Sequence, residues 1–217
     1  ELLCSNRCGN DSSIEDLFNT IHDYCEYENI DKNQEEKCYK DIQKVCIADI
    51  FLLSTDRYIN DLDFIAGKDN TGNSVLELAP LCHNTYALGS NFSKDEIIDM
   101  LDNCEDMEQR LDLCYTDLGI PNEKIDDNYL YWEDSLYYFI DKDEELEEFA
   151  KYCAQRLNID EAILNVEQKT QSKIPEEYKE FVRASFDQRF RVLCDCLNLD
   201  YYELMDEKYY EYEMEEK

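Results

Sequence analysis

The stretch that decides the fold is Ile174–Leu197, IPEEYKEFVRASFDQRFRVLCDCL. Pro175 followed by Glu176 and Glu177 suits a first helical turn. The missing proline N–H costs nothing there, and the positive end of the helix dipole favours carboxylates. From that start, Tyr178, Phe181, Val182, Phe186, Phe190, Leu193 and Leu197 recur at helical spacing. One apolar stripe therefore runs through to about Leu197, with no Gly or Pro to break it.

The same signature recurs on either side. Ser12-Ser13-Ile14-Glu15 and Ser93-Lys94-Asp95-Glu96 read as capping boxes, in which Ser and Glu satisfy opposed orphan amides. The first leads into Leu17, Phe18, Ile21 and Tyr24, the second into Ile97, Ile98, Met100 and Leu101. A further stripe carries Cys38, Ile42, Val45, Cys46, Ile50 and Leu53. Another starts at about Asp143, with Leu146, Phe149, Ala150, Cys153 and Leu157. Clear breaks are few: the loop Gly67 to Asn73, and the stop Gly119-Ile120-Pro121-Asn122. Residues 126–140, with the single Trp132, fit helix or strand equally.

Composition agrees with helices. The 217 residues include five Gly and three Pro, where average usage would give roughly 26 of the two together. So few breakers cannot supply the frequent turns of a sandwich or barrel. Hydrophobic residues are 43%, enough for a core. No apolar run is long enough for a membrane span. The expectation is an all-α fold with few or no strands.

Charge narrows the partners. Fifty-three acidic residues against 21 basic ones give a net charge of −32. Affinity for phosphate backbones comes from Lys and Arg, so nucleic acid is excluded as an unaided partner. An anionic membrane surface is disfavoured for the same reason. Basic proteins, cations or solubility are favoured.

The 11 cysteines are Cys4, Cys8, Cys25, Cys38, Cys46, Cys82, Cys104, Cys114, Cys153, Cys194 and Cys196. That is heavy use for a cytosolic chain, and all are candidates for disulfides. The chain begins at Glu1, as it would after removal of a signal peptide, and Asn10 and Asn91 head glycosylation sequons. The expectation is a secreted glycoprotein. The odd cysteine count leaves one thiol free or linking a disulfide-bonded dimer. Phe18, Ile21 and Cys25 share their spacing with Ile97, Met100 and Cys104, and with Leu146, Phe149 and Cys153. Any amphipathic helix with a buried Cys gives this spacing. The sharper reading is three helical-hairpin modules in a disulfide-stapled bundle of amphipathic helices.

Few motifs carry chemistry. His22-Asp23-Tyr24-Cys25 resembles the His-Asp-x-Cys core of secreted phospholipases A2, and Cys38 and Cys46 follow on a second helix that is also similar. The resemblance implies that His22 activates water, Asp23 holds calcium and Cys25 staples two helices. This chain departs from that family by having Phe18 and Asn19 where it pairs two cysteines, and only Cys8-Gly9 for its calcium loop. Asp69 to Glu77 resembles the start of an ankyrin repeat, without the period of about 33 residues such arrays need. The same stretch fails as an EF-hand, which would put Gly67 and Leu78 at the first and last ligand positions. No Cys-x-x-Cys, phosphate loop or Gly-x-Ser-x-Gly occurs, and the two histidines are His22 and His83. No catalytic, cofactor or metal residues are assigned, beyond weak calcium binding by acids such as the six within Asp141 to Glu148.

The end of the chain differs. Residues 201–217 hold seven acids and five tyrosines, and form an acidic tail beside a domain over 1–200. Tyr201, Tyr202, Tyr209, Tyr210 and Tyr212 are its candidate binding residues. Tyrosines amid acids also suit sulfation. The functional expectation is a secreted, acidic, non-enzymatic interaction protein — effector, inhibitor or receptor-engaging factor — that binds a basic protein partner. The alternatives are an active or degenerate phospholipase A2-like protein, or an acidic calcium-storage or matrix protein.

Overall fold

The structure is a computed structural model, and it describes residues 2–3, 14–54, 61–81, 87–103 and 132–205. The chain divides into two compact units, Glu1–Ala87 with Tyr115–Ser135, and Leu88–Cys114 with Leu136–Lys217.

In the first unit two helices pack together, and the second of them packs on a small sheet. Helix α1, Ile14–Glu28, buries Leu17, Ile21 and Cys25 one turn apart. Asn29 ends it in the left-handed region, φ 53°, and the Ile30 amide reaches back to the Cys25 carbonyl at 2.9 Å. That bond satisfies a carbonyl the helix leaves orphaned. Asp31 then caps α2, Lys32–Leu52, by accepting from the Asn33 amide. The core face of α2 carries Cys38, Ile42, Val45, Cys46, Ile47, Ile50 and Phe51, all buried.

Strands β1 (Leu2–Leu3), β2 (Phe64–Lys68) and β3 (Ser74–Leu78) form an antiparallel sheet in that order. Phe64 pairs with Leu78 and Lys68 with Ser74. Phe64 and Ala66 point into the core and Ile65 outward, the alternation a one-sided sheet requires. The turn between β2 and β3 is organised by Asp69. Its Oδ1 accepts from Thr71 Oγ1 at 2.7 Å and from the amides of Thr71 and Asn73 at 2.8 and 2.9 Å. These donors, the Thr71 hydroxyl first, hold the Asp69 carboxyl at about 2. Gly72 supplies the φ of +88° that the turn needs. Gln34 Nε2 and Cys38 Sγ both donate to the Leu76 carbonyl, at 2.8 and 3.1 Å, tying the start of α2 to β3.

The second unit is helical among its described residues. A 3-10 turn, Ala87–Gly89, precedes α3, Lys94–Asp102, whose capping box of Ser93 and Glu96 forms as the sequence predicts. Helix α4, Trp132–Lys142, belongs to this unit from Leu136 onward and carries buried Leu136, Phe139 and Ile140. Helices α5 (Glu144–Arg156), α6 (Ile159–Thr170) and α7 (Glu176–Leu197) follow, with Asp143 and Asn158 capping the first two. Helix α7 is the spine, in contact with α3, α5 and α6. Its stripe of Phe181, Phe186, Phe190, Leu193 and Leu197 is buried throughout. The Phe92 ring meets Phe181 edge-on at 5.8 Å, and Tyr178 donates to the Phe92 carbonyl at 3.0 Å.

Two expectations need correction. The fold is mostly helical, but Phe64–Lys68 and Ser74–Leu78 are strands, so it is not all-α. A hairpin occupies the place where the sequence resembles an ankyrin start. The stapling also fails. Cys25, Cys38, Cys46, Cys153, Cys194 and Cys196 form no disulfide. Four of these are buried in helix stripes, where a thiol serves as a small apolar group. Cys194 and Cys196 lie two apart on one helix, a spacing that faces them in different directions. Cys4, Cys8, Cys82, Cys104 and Cys114 lie outside the described residues. The stapled bundle, and the cysteine argument for a secreted protein, therefore lose their basis.

Candidate functional site

Two clusters in the described residues combine charge, burial and exposure, one in each unit. The first joins α1 to the opening turns of α2. His22 Nδ1 donates to Glu35 Oε1 at 2.8 Å, and the Tyr39 hydroxyl donates to the same oxygen at 2.6 Å. His22 Nε2 lies 3.7 Å from Glu26 Oε1. The bond to Glu35 raises the His22 pKa above its ordinary 6.5. Glu35 is lowered in turn, by the Tyr39 hydroxyl first and then by His22. The Phe18 ring, 4.6 Å from that of Tyr39, closes one side.

This geometry fixes the imidazole with Nδ1–H toward a carboxylate, the orientation used by acid–base histidines. The carboxylates that face His22 are Glu35 and Glu26, and Asp23, to which the phospholipase resemblance gives the calcium, is exposed. Cys25 stays in the core, with burial pushing its thiol up to about 11, and burial pushes Cys38 up to about 12. At neutral pH neither is a thiolate, so neither is a nucleophile.

The second cluster lies in a groove of about 1070 Å³ within the second unit, between α6 and α7. Phe186 and Phe190 are its buried floor, and Leu101, Leu164 and Met205 line it. At one end Glu167, 6% exposed, binds Lys173 Nζ at 2.7 Å, Lys179 Nζ at 2.9 Å and the Ile174 amide at 2.9 Å. Lys173 first, then Lys179, hold the Glu167 carboxyl at about 2. Arg183 Nε is bound to Asp160 at 2.7 Å, and Arg191 Nε to Asp187 at 2.9 Å.

The expected binding tyrosines divide. Tyr201 is partly buried, donates to Asp187, sets its edge on Phe190 and lies under the Arg191 guanidinium at 4.0 Å. Tyr202 is 70% exposed. Tyr209, Tyr210 and Tyr212 lie outside the described residues, as do Asn10 and His83. Asn91 is exposed, in the turn ahead of α3. Sequence reading misses Glu35 and Glu167, whose partners His22 and Lys179 are brought to them by packing, and it passes over the pairs Glu35–Tyr39 and Asp187–Arg191, which stand four apart on one helix and could be read from spacing. Among the described residues no group of three His, Cys, Asp or Glu converges on a metal position, and no helix is long and apolar enough to cross a membrane.

No family model and no curated protein matches the chain. Among solved structures it is similar to a Helicobacter pylori proinflammatory kinase, CtkA, at 15% identity and a TM-score of 0.60. The likeness takes in 91% of this chain, and the chain spans 65% of the length of that kinase. At that identity the two share a fold.

Proposed function

We propose that this chain is a kinase-type phosphotransferase that moves the γ-phosphoryl group of ATP to a hydroxyl. The observation that carries the reading is the fold likeness to a kinase over 91% of the chain. Fold alone does not determine chemistry, so the sequence must supply the parts. Kinase catalytic loops carry a base Asp and, five residues on, an Asn that holds metal. Asp56 and Asp61 have that spacing between α2 and β2, with Asp in place of Asn, and with Ser54 and Thr55 where His-Arg is usual. Asp56 would accept the proton of the attacking hydroxyl. The sequence holds neither Asp-Phe-Gly nor a Gly-x-Gly-x-x-Gly loop. The described residues contain no cluster that fits a magnesium ion, and Asp56 lies outside them, so no step is routed through a metal.

The test is transfer of labelled γ-phosphate from ATP, with magnesium or manganese, to the chain itself or to a basic test protein. Asp56→Asn should lower the rate by about 100-fold or more, the usual worth of a positioned base. Failure of the wild-type chain to transfer label with either ion overturns the reading.

A second reading rests on charge. A net −32 creates a field that speeds encounter with cationic surfaces, so the chain is also proposed to bind a basic protein, as substrate or regulator. Its on-rate should fall steeply with added salt. Binding that is indifferent to salt would remove this reading.

A further inference from the structure

We infer that the α6–α7 groove of the second unit is the docking site for a basic, amphipathic helical segment of a partner protein. The inference rests on the reading that the chain binds a basic partner, and it assigns that partner a place. Two properties of the groove lead to it.

The first is shape and polarity. A groove of about 1070 Å³ floored by Phe186 and Phe190 and lined by Leu101, Leu164 and Met205 offers apolar surface along two helices. Met205 is 37% exposed. Helical segments dock into such grooves through apolar residues spaced three and four apart.

The second is the charge left over at the rim. The cations that line the groove are already bound: Lys179 by Glu167 and Glu176, and Arg183 by Asp160. Arg191, beside it, is bound by Asp187. Glu180 also lines the groove and is exposed, and it is in no ion pair among the described residues. Of the charged residues that line the groove, Asp160, Glu167, Glu180 and Asp187 are acidic, against Lys179 and Arg183. The unspent charge is thus negative, and it borders apolar surface. An acidic or neutral segment would leave these carboxylates uncompensated. A Lys- or Arg-flanked apolar face would pair with them while its apolar side chains cover the floor.

The probe is a fluorescent amphipathic peptide of Leu and Lys with helical period. Its controls are the same peptide with Glu for Lys, and one with the Leu and Lys order scrambled. The expected result is saturable binding of the Leu–Lys peptide that persists in 0.5 M salt through the apolar contact, with no binding of the Glu peptide and weaker binding of the scrambled one. Glu180→Lys should weaken binding about tenfold, because it reverses charge at the rim. Glu36→Lys, the same change on the exposed face of α2, should leave affinity nearly unchanged. Because Glu180 is exposed, folding should survive its replacement, and circular dichroism checks this. Hydrogen-exchange protection by the peptide should fall on α6 and α7. If the Leu–Lys peptide does not bind, both the groove and the basic-partner reading fail. If it binds equally to wild type and Glu180→Lys, with protection elsewhere or with loss of all binding in high salt, the groove is overturned while the basic-partner reading stands.

Discussion

At the scale of the residue, one buried acid gathers two of the chain's scarce cations. That acid is Glu167, whose one carboxylate takes two lysines and a backbone amide. Its folded pKa is about 2 against an ordinary 4.5. A depressed carboxylate pKa adds stability above the unfolded value, and that stability is lost as pH falls through the folded one. Glu167→Gln should therefore lower the melting temperature at pH 7. The gap from wild type should shrink between about pH 4.5 and about pH 2. Thermal melts across that range check it, and a gap that widens on acidification would contradict the assignment. His22 carries the opposite sign. Its raised pKa means its contact with Glu35 contributes fully below 6.5 and fades as pH rises through the folded value. Glu35→Gln should bring the His22 titration, followed by NMR of the ring protons, down toward its ordinary 6.5. An unshifted titration would show that the 2.8 Å bond is not what holds it.

At the scale of the element, stability concentrates where backbone and side chain leave no slack. Gly89 has φ +73°, and a Cβ there would run into the Phe181 ring. Gly67 has open space around it. Gly89→Ala should thus destabilise by about 2 kcal/mol or more through overpacking and left-handed strain, whereas Gly67→Ala should stay within about 0.5 kcal/mol. Denaturant midpoints of the two variants provide the comparison, and equal midpoints would refute it. The helices were legible because their stripes and caps are local: Ser93 with Glu96, Pro175 with its two glutamates, and Phe181 through Leu197 can all be read from spacing. The hairpin was not. Its strands have five residues each and its turn is the loop Asp69 to Asn73, so alternation runs too briefly to stand out, and the two-residue Asn-Gly signal is absent. Helix α6 also escaped notice, since few of its residues are buried. Cysteine spacing misled for a different reason. A staple and a small apolar core residue occupy the same helical positions, and only geometry separates them.

At the scale of the whole molecule, the chain shares its fold with a kinase, CtkA, at 15% identity, and its net charge of −32 is what the basic-partner proposal rests on. The sites were less legible than the helices. The His22–Glu35 contact joins residues 13 apart through packing of α1 on α2, and the groove exists only once α6 lies along α7. The His22 motif drew notice for its resemblance to a hydrolase, yet the carboxylate it meets is Glu35. Neither charge nor periodicity pointed to the fold likeness with CtkA. The phosphotransferase proposal requires the chain to hold ATP before it can transfer anything, and at a net −32 the nucleotide would have to arrive with its own divalent cation to offset the repulsion from the chain's carboxylates. The most direct measurement is a calorimetric titration of ATP into the chain, with and without magnesium, repeated on Asp61→Ala. Saturable one-site binding that requires magnesium and is lost or strongly weakened in Asp61→Ala is the predicted result. Absence of binding with magnesium, or binding that is the same without the ion and in the variant, would contradict it.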